Sequence, residues 1–221
     1  KKNIRATVTT GPTREYIDPV RYISNESSGK QGYEIALELS RLGVKTTLIS
    51  GPTNINYSNE IKVKKIVSGK QMFNEIKKTL PTDIAVCTAA VSDFKPVLKN
   101  KQKLKKKINL DKIRIEQNPD ILEFLGKNNR HKPKLLVGFS AETENIIKNS
   151  IEKMHEKHCD IIVANDVSNK ETGFNVDFNE VMIIENNGEI QKIKKSSKKF
   201  IASIIAKKII NSFLDIKKRL N

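Results

Sequence analysis

Tryptophan is absent from the 221-residue sequence, and aromatic residues make up only 5% of it. That leaves little from which to build a base-stacking platform for single-stranded nucleic acid. Two cysteines are too few for a disulfide scaffold. Cys87 follows the apolar run Ile84-Ala85-Val86, and Cys159 precedes Asp160-Ile161-Ile162. Both read as buried thiols of a reducing compartment, so a cytoplasmic protein is expected. Histidine occurs only as His131, His155 and His158, a poor basis for a metal site, and no metal ligand is assigned. No apolar run approaches the ~18 residues that cross a bilayer, and Lys1-Lys2-Asn3 leads into a strand-like run rather than a signal sequence. A membrane-spanning protein is thereby excluded.

Acidic side chains are the minority, 25 against 41 Lys+Arg, for a net charge of +16. Such a balance invites a nucleic-acid reading. With so few aromatics to accompany it, the charge reads instead as solvated lysine surface with a share for an anionic small substrate. Neither nucleic acid nor membrane is expected as a partner. A chain of this length buries roughly 70% of the surface that its unfolded form exposes, enough for a sizeable core.

The order of apolar runs and turn residues is that of an α/β protein. Ala6–Thr10 reads as a strand stopped by Gly11-Pro12-Thr13, and the loop after it runs to about Ser28. Gly29–Leu42 reads as a helix, with Ile35, Leu39 and Leu42 on one face, and Val44–Ser50 as a second strand stopped by Gly51-Pro52-Thr53. Strands are predicted at 61–67, 83–90, 108–115, 135–140 and 160–165, and helices at 70–79, 120–126 and 145–157. A hairpin is predicted around Asn186-Asn187-Gly188, and a last helix over 197–218. Repeated β-α alternation implies a Rossmann-like, mostly parallel sheet with helices on both faces, in one domain over residues 1–221.

Ligands of such sheets bind beyond the carboxyl ends of the strands. The small and polar segments fall mostly at those ends: Thr10-Gly11-Pro12-Thr13, Ser50-Gly51-Pro52-Thr53, Ala89-Ala90-Val91-Ser92-Asp93, Ser140-Ala141-Glu142-Thr143 and Ala164-Asn165-Asp166. Each alone is an ordinary turn, but together they suggest one site. Asn25-Glu26-Ser27-Ser28-Gly29-Lys30 precedes a helix, where backbone N–H groups favour an anion and where serines also serve as plain caps. A phosphate-binding P-loop fails, because Ser24 and Gln31 stand where it needs Gly and Ser/Thr. No Gly-x-Gly-x-x-Gly and no Tyr-x-x-x-Lys occurs, which weighs against a nicotinamide reductase.

The same residues resemble the phosphopantothenate–cysteine ligase family. The resemblance rests on Thr10-Gly11-Pro12-Thr13-Arg14-Glu15 through Ile17-Asp18-Pro19-Val20-Arg21-Tyr22-Ile23-Ser24-Asn25, then Ser27-Ser28-Gly29-Lys30. It continues in order through Ala89–Phe94, Asn118–Ile121, Val137–Thr143 and Ala164-Asn165-Asp166-Val167, covering roughly residues 6 to 185. It resembles the bacterial CTP-using branch, usually the C-terminal half of a bifunctional protein whose other half is an FMN-dependent decarboxylase. A start at Lys1 without Met is expected of an excised domain. The resemblance implies ligation of 4'-phosphopantothenate to L-cysteine in coenzyme A biosynthesis. CTP and Mg²⁺ would take part, an acyl-cytidylate would form, and a homodimer would be joined partly through the region after Pro96. The residues by themselves leave CTP and ATP open.

Carried over by position, Gly11, Ser50, Gly51, Ala89, Ala90, Val91 and Asp93 should contact the nucleotide. So should Pro119, Asp120, Ile121 and Leu122, with Phe139 on or near the base and Lys153 and Lys157 on the triphosphate. Lys103 falls on the family's site lysine, although Lys103-Leu104-Lys105-Lys106 stands where the family has Lys-Ile-Lys-Lys. In an all-lysine run the register is open by a position or two. Asn25 matches an asparagine at the carboxyl group of the acid, and Ser28, Gly29 and Lys30 complete that substrate's set. Asn25 and Lys103 are the expected catalytic residues.

Overall fold

β-Branched and apolar runs alternate with amphipathic stretches in the sequence, and among the described residues most of these runs form an element of their own. The computed structural model describes residues 4–105, 112–128, 130–166 and 177–220. In chain order these hold β1 (Arg5–Thr10), β2 (Arg14–Tyr16), β3 (Tyr22–Ser24), α1 (Lys30–Arg41), β4 (Lys45–Ser50), β5 (Lys62–Lys65) and α2 (Gly69–Thr79). There follow β6 (Ile84–Cys87), β7 (Phe94–Pro96), β8 (Ile115–Gln117), α3 (Ile121–Lys127), β9 (Leu135–Glu142) and α4 (Ile146–Glu156). The chain closes with β10 (Ile161–Asp166), β11 (Phe178–Glu185), β12 (Ile190–Ser197) and α5 (Lys198–Leu220).

Eight strands form the main sheet in the order β12-β11-β10-β9-β6-β1-β4-β5. From β10 to β5 every neighbouring pair is parallel, while β11 and β12 add an antiparallel hairpin at one edge. The chain begins in the middle at β1, moves outward through β4 and β5, then returns to β6 on the other side of β1. This is the Rossmann-like order, and its direction of winding reverses between β1 and β6.

Parallel strands covered on both faces must be apolar on both, and these are. On one side α1 (Ile35, Leu39) and α5 (Ile201, Ile205, Ile209, Phe213) pack on Val8, Val86, Val137 and Val163. On the other, α2 (Met72, Ile76), α3 (Leu122, Leu125) and α4 (Met154) pack on Ile49, Ala85, Leu136 and Ile162. Adjacent residues of one strand thus serve opposite cores, as the two-residue period of a strand requires. Each Val, Leu, Ile, Met or Phe side chain among them, fully buried, contributes about 1.5–3 kcal/mol.

The main elements fall where the periodicity predicts them, and several details differ. The loop to Ser28 contains a hairpin, β2 on β3, with Arg14 opposite Ser24. Its strands are too short and too polar to show a period. The predicted strand at 83–90 ends at Cys87, after which Ala90 keeps only an isolated parallel bridge to Pro12. Cys87, expected to be buried, is half-buried, because β6 stops there and leaves its side unfilled. Lys106, Lys107, residues 108–111 of the predicted strand 108–115, and Val167 lie outside the described residues; of the rest of that predicted strand only Ile115 is in one, opening β8, because the pairing with β7 runs over Ile115–Gln117 instead. Among the described residues no helix is long and apolar enough to cross a membrane.

Candidate active site

The reversal between β1 and β6 opens the sheet at the carboxyl ends of both strands. Gly11 and Ala90 stay in touch there, the Ala90 N–H donating to the Gly11 carbonyl at 3.0 Å. Beyond them the chain is pinned by side chains. The Thr13 hydroxyl accepts the Ser92 N–H at 3.0 Å, and Asn118 donates from Nδ2 to the Ser92 carbonyl at 2.8 Å. Buried Glu15, on β2, accepts the Gly69 N–H at 2.7 Å and so fixes the start of α2 against this loop.

A cleft of about 430 Å³ lies on the α3–α4 side of this opening. Ala89, Val91, Asp93, Pro119, Asp120, Ile121, Leu122, Phe139, Lys153 and Lys157 all line it, although they are spread over nearly 70 residues of sequence. Asp120 caps α3, accepting the Glu123 N–H at 2.8 Å. Lys153 Nζ donates to the Phe139 carbonyl at 3.0 Å, just past the point where β6 stops pairing with β9. Lys157 Nζ sits 3.0 Å from Asp120 Oδ2 and 2.9 Å from Glu123 Oε2. Hydrogen bonding to Lys127, then to Lys157, holds the Glu123 carboxyl at about 2. Burial works against the Lys157 ammonium, but its two carboxylate partners raise its pKa overall.

A second, smaller cavity of about 50 Å³ lies at the start of α1. Ser28, Gly29 and Lys30 line it together with Asn165, Asn179 and Lys198. Gly29 takes φ +73 as the residue before the helix, a left-handed conformation that disfavours other residues. Its carbonyl accepts the Thr10 hydroxyl at 2.7 Å, tying the helix start to the end of β1. Lys198 is only 6% exposed. Burial first, and the charge of Lys30 second, push its pKa down. Phe139 lines both cavities, with its side chain packed on the α1–α5 core.

The remaining predicted positions stand apart from the two cavities. Ser50 is fully buried and donates to the Gly51 carbonyl at 2.9 Å, with the Tyr57 hydroxyl 2.6 Å away. Gly51 lets Pro12 pass, since a Cβ there would stand 1.7 Å from the Pro12 carbonyl oxygen. Both support the Gly11–Thr13 turn from behind. Asn25 is exposed and donates from Nδ2 to the Val91 carbonyl at 3.1 Å, which brings it to the rim of the larger cleft. Lys103 is exposed on a segment fastened to the β2–β3 hairpin.

Sequence reasoning missed Thr9, Cys87, Gln117 and Glu123 in the larger cleft, and Gln31, Asn179 and Lys198 in the smaller one. Cys87 and Thr9 could have been found, since they close the strands whose following segments, Thr10–Thr13 and Ala89–Asp93, are read as parts of one site. Asn179 and Lys198 carry no local signal. Burial pushes both thiols up, Cys159 to about 12, so Cys87 faces the cleft as a neutral group.

A Rossmann-like α/β domain with a polar cleft at its switch point is the class that this fold and site define. The chain belongs to the family described as the DNA/pantothenate metabolism flavoprotein C-terminal domain, whose model matches residues 2–213. It is 36% identical over 213 residues to the coenzyme A biosynthesis bifunctional protein CoaBC of Haemophilus influenzae, covering 96% of this chain and 52% of that protein. To the CoaBC of Borreliella burgdorferi it is 37% identical over 209 residues, 93% of this chain and 52% of that one. The chain therefore spans about half the length of these relatives. Among solved structures, the C-terminal domain of a CoaBC superposes with a TM-score of 0.82 at 34% identity, covering 97% of both chains. A Cab2 variant in complex with phosphopantothenate-cysteine shares the fold, with a TM-score of 0.76 at 15% identity, over 99% of this chain and 89% of that one.

Proposed function

We propose that this chain joins 4'-phosphopantothenate to L-cysteine in a CTP-driven ligation of coenzyme A biosynthesis. One observation carries the reading. Ten positions that the family resemblance marks for the nucleotide line a single cleft at the switch point of the sheet. Its volume suits a nucleotide, whereas the cavity at α1 has room for little more than a phosphoryl-sized group.

In this reading a carboxylate oxygen of the acid attacks the α-phosphorus of CTP. The bond to the β-phosphate breaks, and pyrophosphate leaves an acyl-cytidylate. The amine of cysteine then attacks the acyl carbon, CMP departs with the bonding pair, and the amine gives up a proton. The first step brings two anions together, so positioning and charge neutralisation matter more than acid–base groups. Lys153 and Lys157 offer that charge to the triphosphate, and backbone groups of Pro119–Leu122 hold the nucleoside end. Asn25 Nδ2 stands at the rim, where an amide donor can stabilise an oxyanion without titrating. Ser28, Gly29 and Lys30 take the phosphate end of the acid, and Lys103 takes the α-phosphate.

Among the described residues no three His, Cys, Asp or Glu side chains form a metal cluster. A Mg²⁺ carried on a triphosphate needs only one or two protein carboxylates. Asp93 and Asp120 both line the cleft and fit that requirement, and the ion would offset phosphate charge there. A cytoplasmic homodimer belongs to the same reading. It is supported by exposed Phe94, Val97, Leu98, Ile113 and Ile115 around β7 and β8, and sedimentation would report it.

The test is pyrophosphate release with CTP, 4'-phosphopantothenate and Mg²⁺, with and without cysteine. Release that depends on the acid, with product forming only when cysteine is added, is expected. No release with CTP or ATP would overturn the reading.

A further inference from the structure

Asp18 sits in the turn between β2 and β3 and is fully buried, although it occupies a surface hairpin. Its Oδ1 accepts the N–H groups of Val20 at 2.8 Å and Arg21 at 2.9 Å, which closes the turn. An Asn or Ser in that place would do as much. The second oxygen is used differently. Oδ2 accepts Arg21 Nε at 2.9 Å and the Leu104 N–H at 3.2 Å, 86 residues away in sequence. Arg21 in turn donates to the Leu104 carbonyl at 2.9 Å. Both backbone groups of Leu104 are therefore taken by one carboxylate–guanidinium pair.

The clasp is reinforced four residues earlier. The Asn100 N–H donates to the Ile17 carbonyl at 2.9 Å, and the Lys99 ammonium lies 5.2 Å from the centre of the Tyr16 ring. Lys103 is thus slung between two fixed points, Asn100 and Leu104. The same hairpin delivers Asn25, which follows β3 directly and reaches the Val91 carbonyl at the cleft. A buried carboxylate is costly unless it is fully paired, and this one is placed where its pairing joins two distant segments.

We propose that Asp18 is a positioning residue that locks the base of the lysine-bearing segment to the hairpin carrying Asn25, so that Lys103 and Asn25 are held as one unit. The inference rests on the ligase reading for its chemistry and on the hairpin geometry for its mechanics.

Asp18→Asn separates the two uses of the carboxylate. The amide oxygen can still close the turn, while its NH₂ faces the donors of Leu104 and Arg21. In the full chain, kcat for pyrophosphate release should fall about 10²-fold, the cost of misplacing a reacting group by about 1 Å, with KM for CTP unchanged. In a Lys103→Gln background the same change should add little, because both act through one lysine. Hydrogen exchange of the Leu104 amide should quicken in Asp18→Asn. If that variant does not fold, Arg21→Gln, at a half-exposed side chain, removes the Leu104 carbonyl contact and should show the same split. Unchanged kcat, losses that add with Lys103→Gln, or unchanged Leu104 exchange would each overturn the positioning role. A wild-type chain that releases no pyrophosphate would overturn the ligase reading instead, with Leu104 exchange still deciding the clasp.

Discussion

Lys157 Nζ lies 2.9 Å from Glu123 Oε2, an ion pair that joins the end of α4 to the first turn of α3 across the larger cleft. Glu123 is a carboxylate in a cavity proposed for a triphosphate. Its charge opposes the ligand and also occupies a lysine the ligand would use. Glu123→Gln should therefore tighten CTP binding about 2- to 5-fold, the scale of an exposed charge pair. Titration calorimetry reads this directly, and weaker CTP binding would show that Glu123 serves the nucleotide through Lys157.

Lys153 differs from Lys157 in what already holds it. Its ammonium has a neutral carbonyl partner, Phe139, whereas Lys157 has two carboxylates. As triphosphate ligands both lysines should matter, since charge-assisted contacts are worth about 1.5–3 kcal/mol, roughly 10- to 150-fold in affinity. Lys153→Gln should cost CTP more than Lys157→Gln, because part of the Lys157 charge is spent within the protein. Neither should change affinity for CMP, which lacks the β and γ phosphates. Equal losses for CTP and CMP would show that these lysines do not bind the triphosphate.

The sheet, its helices and the larger cleft were legible because they rest on local patterns. Ile201, Ile205, Ile209 and Phe213 announce one face of α5, and the polar segment after each parallel strand announces the edge where a site forms. The hairpin at 14–24 was not legible, since three-residue strands with Arg, Glu and Tyr show no period. The clasp was also hidden, because the partner of Asp18 is a backbone N–H 86 residues away and carries no side-chain signature. Lys198 looked like one more surface lysine of a basic chain until α5 placed it against the start of α1. Ser50 and Gly51, marked by resemblance for the nucleotide, owe their identity visibly to packing against Pro12 and Tyr57.

Asn25 is exposed, and its side-chain amide donates to the Val91 carbonyl. Removing it leaves no buried cavity, so Asn25→Ala should fold with a nearly unchanged melting temperature. Ligation should fall about 10²- to 10³-fold, the loss on deleting one oxyanion donor. Steady-state product formation at saturating substrates checks it, and an unchanged rate would remove Asn25 from the chemistry.

Acid should expose the pairing of Glu123 in a defined way. Lys127 and Lys157 hold its carboxyl at about 2 in the folded chain, against an ordinary 4.5. A folded value below the unfolded one means that unfolding takes up a proton between them. The stabilisation is therefore whole above 4.5 and is lost as pH falls through about 2. Asp18 is depressed in the same direction: burial opposes its charge, but Arg21 and the N–H groups of Val20, Arg21 and Leu104 outweigh that. Asp160 and Glu34 run the other way, because burial raises them, so their charged forms cost stability and protonation relieves it. Glu123→Gln removes one contributor of known sign. Denaturant melts between pH 2 and 5 should then show a stability curve flatter than wild type by about one proton. Parallel curves for the two proteins would mean that Lys127 and Lys157 do not hold this carboxylate in its charged form.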